Sequence, residues 1–204
     1  MTGSVETPDW STIPAPQDDG AARHLAGARP AAVPLRATDG TTVDLSALPG
    51  LVVVYAYPRT GQPGVPNPDG WDLIPGARGC TPQSCAFRDH FRELKAVGVD
   101  RLFGLSTQSP AYQREAAERL HLPFPILSDE DLALARAMRL PTFEADGMTL
   151  LKRLTLVIRD GTIEHVFYPV FPPDRNADEV LAWLAARRQS KAPPASPPAS
   201  PTRL

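Results

Sequence analysis

Leu51-Val52-Val53-Val54-Tyr55-Ala56-Tyr57 is an unbroken apolar run rich in β-branched and aromatic residues. A strand with one wet face alternates apolar with polar residues, so a run with no polar position has no solvent side. It reads as a central strand covered on both faces. The rest of the chain must supply two covers, which selects a layered α/β architecture.

The remaining pattern supplies them. Val33-Pro34-Leu35 and Thr41 to Leu45 flank Asp39-Gly40, a hairpin signal. Leu102 to Ser106 reads as a second buried strand. Pro110 opens a helix through Leu120, and Asp129 opens a shorter one through Met138. Leu154 to Ile158, Asp160-Gly161 and Thr162 to Phe167 form a strand, turn and strand. Ala177 to Arg187 closes as a helix with Val180, Leu181, Leu184 and Ala185 on one face. The order implies a central mixed β-sheet flanked by helices on both faces. In such sheets reactive groups gather at the carboxyl ends of central strands, here near Tyr57-Pro58.

The chain's two cysteines, Cys80 and Cys85, lie at what reads as the mouth of a helix. Thr81 is the expected N-cap and Pro82 the first helical residue, so the helix should begin just after Cys80. Phe87, Phe91 and Leu94 mark its buried face, and the pattern runs out near Gly98. Unpaired N–H groups at a helix N-terminus favour a thiolate, and Arg78 and Arg88 add positive charge nearby. Extended helically, residues five apart place their Cα atoms roughly 8 to 9 Å from one another. A disulfide needs about 4.4 to 6.8 Å, so joining the pair would require unwinding that turn. The alternative is that Cys85 is a small buried hydrophobe. A Cys80, Cys85, His90 metal site lacks the Cys-x2-Cys knuckle and a fourth ligand, so no metal and no cofactor is expected.

A net charge of −2 gives no electrostatic footprint for nucleic acid or an anionic membrane, and no apolar run is long enough to span a bilayer. Met1 to Asp19 shows no secretory leader pattern, which makes a reducing cytoplasm the expected location. Residues 1–30, with Pro8, Pro14 and Pro16, read as a flexible extension or surface wrap. Residues 31–189 form one domain, and the Pro/Ala/Ser-rich stretch 190–204 reads as a disordered tail.

Val52 to Pro58 (VVVYAYP), Gly79 to Asp89 (GCTPQSCAFRD), Leu122 to Asp129 (LPFPILSD) and Arg153 to Phe167 (RLTLVIRDGTIEHVF) together resemble the peroxiredoxins, specifically the Q-type, bacterioferritin-comigratory branch. The Cys-x4-Cys element followed by Phe-Arg-Asp is the specific part. The resemblance implies a thioredoxin-like fold from about Pro34 to Arg187 and a thiol-dependent peroxidase. It implies that Cys80 attacks a hydroperoxide and becomes a sulfenic acid, and that Cys85 resolves it as an intramolecular disulfide. Thioredoxin or a similar dithiol protein then reduces that bond. Arg153 would steady the thiolate and orient the peroxide. An intramolecular pair permits a working monomer or a weak homodimer.

The chain departs from the family pattern before the first cysteine. Leu73 and Ala77 stand where the family has a proline and a threonine, and an insertion of about residues 59–75 follows Tyr57-Pro58. Thr60, displaced by the insertion, or Thr81 could supply the missing hydroxyl to the peroxide. Trp71 and Leu73 either form an apolar wall for bulky organic peroxides or pin the loop to the domain. Thiol-disulfide exchange or sulfur handling on the same fold, and a non-catalytic binding role, are the alternative functions.

Overall fold

The computed structural model describes residues 9–191. Its main sheet has seven strands in the order β2-β1-β5-β4-β3-β8-β9, where β1 is Pro34–Ala37, β2 Thr42–Asp44, β3 Leu51–Ala56, β4 Arg101–Ser106, β5 Ile126–Ser128, β8 Leu154–Arg159 and β9 Thr162–Phe167. The pairs β3–β4 and β4–β5 are parallel and the others antiparallel, so the sheet is mixed. A separate hairpin joins β6 (Thr142–Ala145) to β7 (Met148–Leu151).

Every residue of β3 is buried, and its alternation splits the core in two. Leu51, Val53, Tyr55 and Tyr57 face a layer containing Phe87 and Leu94 from α1 (Cys80–Asp89) and α2 (Phe91–Ala96), with Val180 and Leu184 from α5 (Asn176–Lys191). Val52, Val54 and Ala56 face the other layer, with Leu134 and Ala135 of α4 (Ala133–Met138) and Leu25 of the N-terminal segment. The sheet is thus covered on both sides, as a strand without a polar position demands. Helix α3 (Pro110–Arg119) is capped by Ser109 and anchored on the sheet by Gln113, whose amide donates to Ser106 Oγ (2.8 Å) and to the Leu127 carbonyl (3.0 Å).

Three expectations change. The helix after Cys80 is divided at His90, whose φ of −90° and ψ of 7° leave the helical region while the apolar periodicity continues across it. Residues 9–30 are not a flexible extension: Ala22 and Leu25 are buried in the core, and Asp19 accepts from Lys152 Nζ (2.6 Å) and the Tyr168 hydroxyl (2.8 Å). A segment without helical or strand period can still fill core pockets residue by residue, which is why its pattern was silent. Helix α5 continues through Lys191, past the expected start of the tail at 190. The rest of the expected tail, and residues 1–8, lie outside the described residues.

Candidate active site

The strand register assembles the site. Leu154 of β8 pairs with Ala56 of β3, so Arg153 sits at the carboxyl edge of β3, beside the start of α1. There its buried guanidinium, 3% exposed, reaches Cys80. Arg153 Nη2 lies 3.3 Å from Cys80 Sγ and within 3.2 to 3.3 Å of the Gly76, Ala77 and Arg78 carbonyls. Nη1 donates to Gln83 Oε1. No carboxylate pairs with Arg153 among the described residues. A buried cation is costly without polar partners, and the three carbonyls, Gln83 and the Cys80 sulfur provide them.

Helix α1 starts two residues earlier than its sequence signals indicate. Gly79, at φ +106°, is the N-cap, Cys80 is the first helical residue, and Thr81 lies inside the first turn without capping it. Glycine is required at 79 twice over: for the positive φ, and because a Cβ there would lie 2.6 Å from Pro173 Cγ and 2.7 Å from Trp10 Cη2. Gly79→Ala is expected to lower stability by about 2 to 4 kcal/mol. Urea unfolding checks this, and an unchanged midpoint would contradict the packing of Trp10 and Pro173 against the helix mouth.

Both cysteines are free and buried. Cys85 lies one and a half turns into α1, with its thiol pushed up by burial and partly drawn back by the Arg88 charge. Tyr55 holds the helix onto β3: its ring stacks on Phe87 at 4.4 Å and its hydroxyl donates to Ser84 Oγ at 3.1 Å. Burial raises the Tyr55 phenol well above its ordinary range.

The other expected residues are dispersed. Arg78 pairs with Asp72 (2.8 Å), while Arg88 pairs with Asp89 (2.8 Å) and donates to the Leu120 carbonyl (2.9 Å). Arg153, not Arg78 or Arg88, is the cation on the Cys80 sulfur. The Thr60 hydroxyl bonds Gln108 Oε1 at 3.3 Å, and its carbonyl accepts from Tyr112 and Gln108. That network anchors the insertion to the β4–α3 corner. Pro58 is buried at the start of the insertion. Trp71 packs on Ala77, Phe143 and Leu150, whereas Leu73 is 76% exposed, so these two residues do not share a wall. His90 pairs with Glu93 and Asp178.

A cavity of about 430 Å³ opens against Arg153, with apolar walls from Pro16, Ile74, Phe143 and Pro169. Sequence reasoning missed Gln83, Trp10 and Phe143 as neighbours of the site. Only the Asp146-Gly147 dipeptide, which turns at φ 50° and 69°, signalled the hairpin that carries Phe143.

A helix-mouth cysteine under a buried guanidinium, on a mixed sheet of this order, defines a protein of thioredoxin-like fold with a cysteine site at the sheet's carboxyl edge. The Redoxin family profile matches residues 16–181, and the chain belongs to that family, in its peroxiredoxin Q/Bcp branch. It is 36% identical over 151 residues to peroxiredoxin Bcp of Escherichia coli K12, covering 72% of this chain and 86% of that protein. Over 160 residues it is 32% identical to the chloroplastic peroxiredoxin Q of Gentiana triflora, covering 78% of this chain; it spans 65% of that relative's length. The crystal structure of peroxidoxin BcpB from Mycobacterium tuberculosis superposes with a TM-score of 0.64 at 30% identity, covering 79% of this chain and 97% of that one. Among the described residues no helix is long and apolar enough to cross a membrane.

Proposed function

We propose that this chain is a thiol-dependent peroxidase acting on hydrogen peroxide or organic hydroperoxides. The observation that carries the reading is the 3.3 Å approach of Arg153 Nη2 to Cys80 Sγ, both groups buried at the sheet's carboxyl edge. The Cys80 thiolate attacks one peroxide oxygen and the O–O bond breaks. The departing oxygen takes a proton and leaves as alcohol or water. Sulfur, oxidised by two electrons, becomes a sulfenic acid. Arg153 stands beside the sulfur that carries the negative charge at the outset, where it can also meet the charge that develops on the departing oxygen.

Cys85 then condenses with the sulfenic acid, releasing water and forming the intramolecular disulfide. Both cysteines lie within wound α1, so the first turn must open for this step. Gly79 and the break at His90 bound the segment that opens. Thioredoxin or a similar dithiol protein returns two electrons and two protons, which places the cycle in a reducing compartment such as the cytoplasm. No second subunit is needed, so a monomer or weak homodimer suffices.

The apolar cavity beside Arg153 suits the organic part of an alkyl hydroperoxide. Trp71 supports that wall from behind, through Phe143. Ala77 leaves the peroxide without the family's threonine hydroxyl, and with Thr60 engaged by Gln108, the loop carbonyls and Arg153 carry the polar contacts. Peroxide-independent disulfide exchange is the second reading that this departure favours.

Stopped-flow oxidation of the reduced protein, with mass spectrometry of the product, tests the reading. Wild type should lose two thiols into a Cys80–Cys85 disulfide, and Cys85→Ser should stall at a sulfenic acid. Oxidation no faster than that of free cysteine would sink the peroxidase reading and favour disulfide exchange.

A further inference from the structure

We propose that Asn176 and Thr155 are positioning residues for this reaction: they hold the Gln83 amide with its oxygen toward Arg153, and so fix the orientation of the guanidinium over Cys80. The proposal rests on the peroxidase reading and extends it to residues that touch neither thiol.

Gln83, Asn176 and Thr155 are each fully buried. They come from α1, the start of α5 and β8, three elements that meet on one face of the sheet. A guanidinium has only donors, so the Gln83 atom facing Arg153 Nη1 must be Oε1. Gln83 Nε2 is then left to face Asn176, whose Oδ1 accepts it at 2.9 Å. The same Oδ1 accepts the Thr155 hydroxyl at 2.6 Å. Polarity therefore runs one way along the chain of side chains, with Arg153 donating to Gln83 and Gln83 donating to Asn176.

Among the described residues Asn176 Nδ2 is buried with no partner, which a purely structural amide would avoid by turning over. Turned over, it would set Nδ2 against Gln83 Nε2, donor against donor. The orphaned donor marks an orientation dictated from the Arg153 end.

The two ends of the guanidinium are held differently. Among the described residues, Nη2 has three backbone carbonyls besides Cys80 Sγ, whereas Nη1 has Gln83 alone and Nε has no partner. Losing the relay should leave the sulfur contact in place and free the Nη1 end. A reaction that uses the guanidinium to orient a peroxide should then slow, while one that needs only the sulfur should not.

The test measures single-turnover oxidation of the reduced full-length protein by hydrogen peroxide alongside Cys80 alkylation by iodoacetamide. Asn176→Leu is expected to slow the peroxide reaction about tenfold and alkylation by less than about twofold. Thr155→Val should slow the peroxide reaction several-fold, and Thr155→Ser, which keeps the hydroxyl, should restore it. A wild-type peroxide rate in Asn176→Leu, or an equal fall in both reactions, would overturn the proposal. Should Asn176→Leu fail to fold, equal peroxide rates in Thr155→Val and Thr155→Ser overturn it instead. A wild-type protein no faster than free cysteine overturns the underlying peroxidase reading without any variant.

Discussion

Cys80→Ser is expected to abolish peroxide-driven oxidation of this protein, lowering its rate by at least about three orders of magnitude. The substitution changes one atom in a site that otherwise keeps its parts. Arg153 still presents Nη2 beside the three loop carbonyls, and Gly79 still opens the helix. A serine hydroxyl is not ionised there and is a poor nucleophile toward an O–O bond, whereas a thiolate is polarisable and intrinsically reactive. Cys85 is not placed to take over: burial pushes its thiol up, and it lies one and a half turns into the wound helix, while the Arg153 guanidinium contacts Cys80. The check is peroxide consumption together with the mass of the exposed protein. A Cys80→Ser protein that consumed peroxide at the wild-type rate would move the reacting group elsewhere. Its unfolding midpoint should stay near that of wild type, since the replacement is close in size and the thiol's contact with the Ala77 carbonyl is long, at 3.6 Å.

Arg153→Met should slow oxidation by about 10² to 10³-fold, the usual cost of removing one donor aimed at developing charge. Methionine fills much of the same space, so the loss reports on charge and hydrogen bonding more than on a cavity. The variant also strips the donor shared by the Gly76, Ala77 and Arg78 carbonyls and the Nη1 bond to Gln83. The loop before Cys80 should therefore loosen, and thermal unfolding should move down together with the rate. Arg153→Lys separates the two effects. A lysine ammonium keeps the charge but cannot span the loop carbonyls, the sulfur and Gln83 as a planar fork does. It should recover part of the rate and little of the loop's order. Stopped-flow rates for both variants, set against hydrogen exchange of residues 76–79, decide this. Equal rates in wild type and Arg153→Met would remove Arg153 from the chemistry.

Much of the fold was legible because its strongest signals are local. A short unbroken apolar run rich in β-branched residues reads as a strand buried on both faces, and β3 is one. Asp-Gly between β-branched stretches reads as a tight turn, and Asp160-Gly161 makes one between β8 and β9. The β6–β7 hairpin carries the same dipeptide, but its strands are short and its Thr and Glu positions dilute the pattern. β5 has three residues after a proline-rich stretch, too few for any period to show. Thr81 and Pro82 are good N-terminal helix residues, yet the helix begins at Cys80. Gly79 can adopt the left-handed conformation, and the packing of Trp10 and Pro173 leaves room for nothing larger.

The candidate site divides along the same line. By itself the sequence determined that the cysteines are five apart at a helix mouth, and hence that a wound helix keeps them too far apart to bond. Residue type and spacing along a single element are sufficient for that. Spacing alone does not say which cation meets the sulfur; the family resemblance points to Arg153, and the tertiary structure brings it there. Arg78 and Arg88 are near in sequence and turn to Asp72 and Asp89, while Arg153 arrives from the far end of the domain. Its arrival depends on the antiparallel register that sets Leu154 against Ala56. Register is chosen by packing on both faces of the sheet at once, so no local stretch of sequence encodes it. The Gln83, Asn176 and Thr155 relay has the same origin: three separate elements place polar groups at one buried point, and their hydrogen-bond partners exist only after the chain has folded.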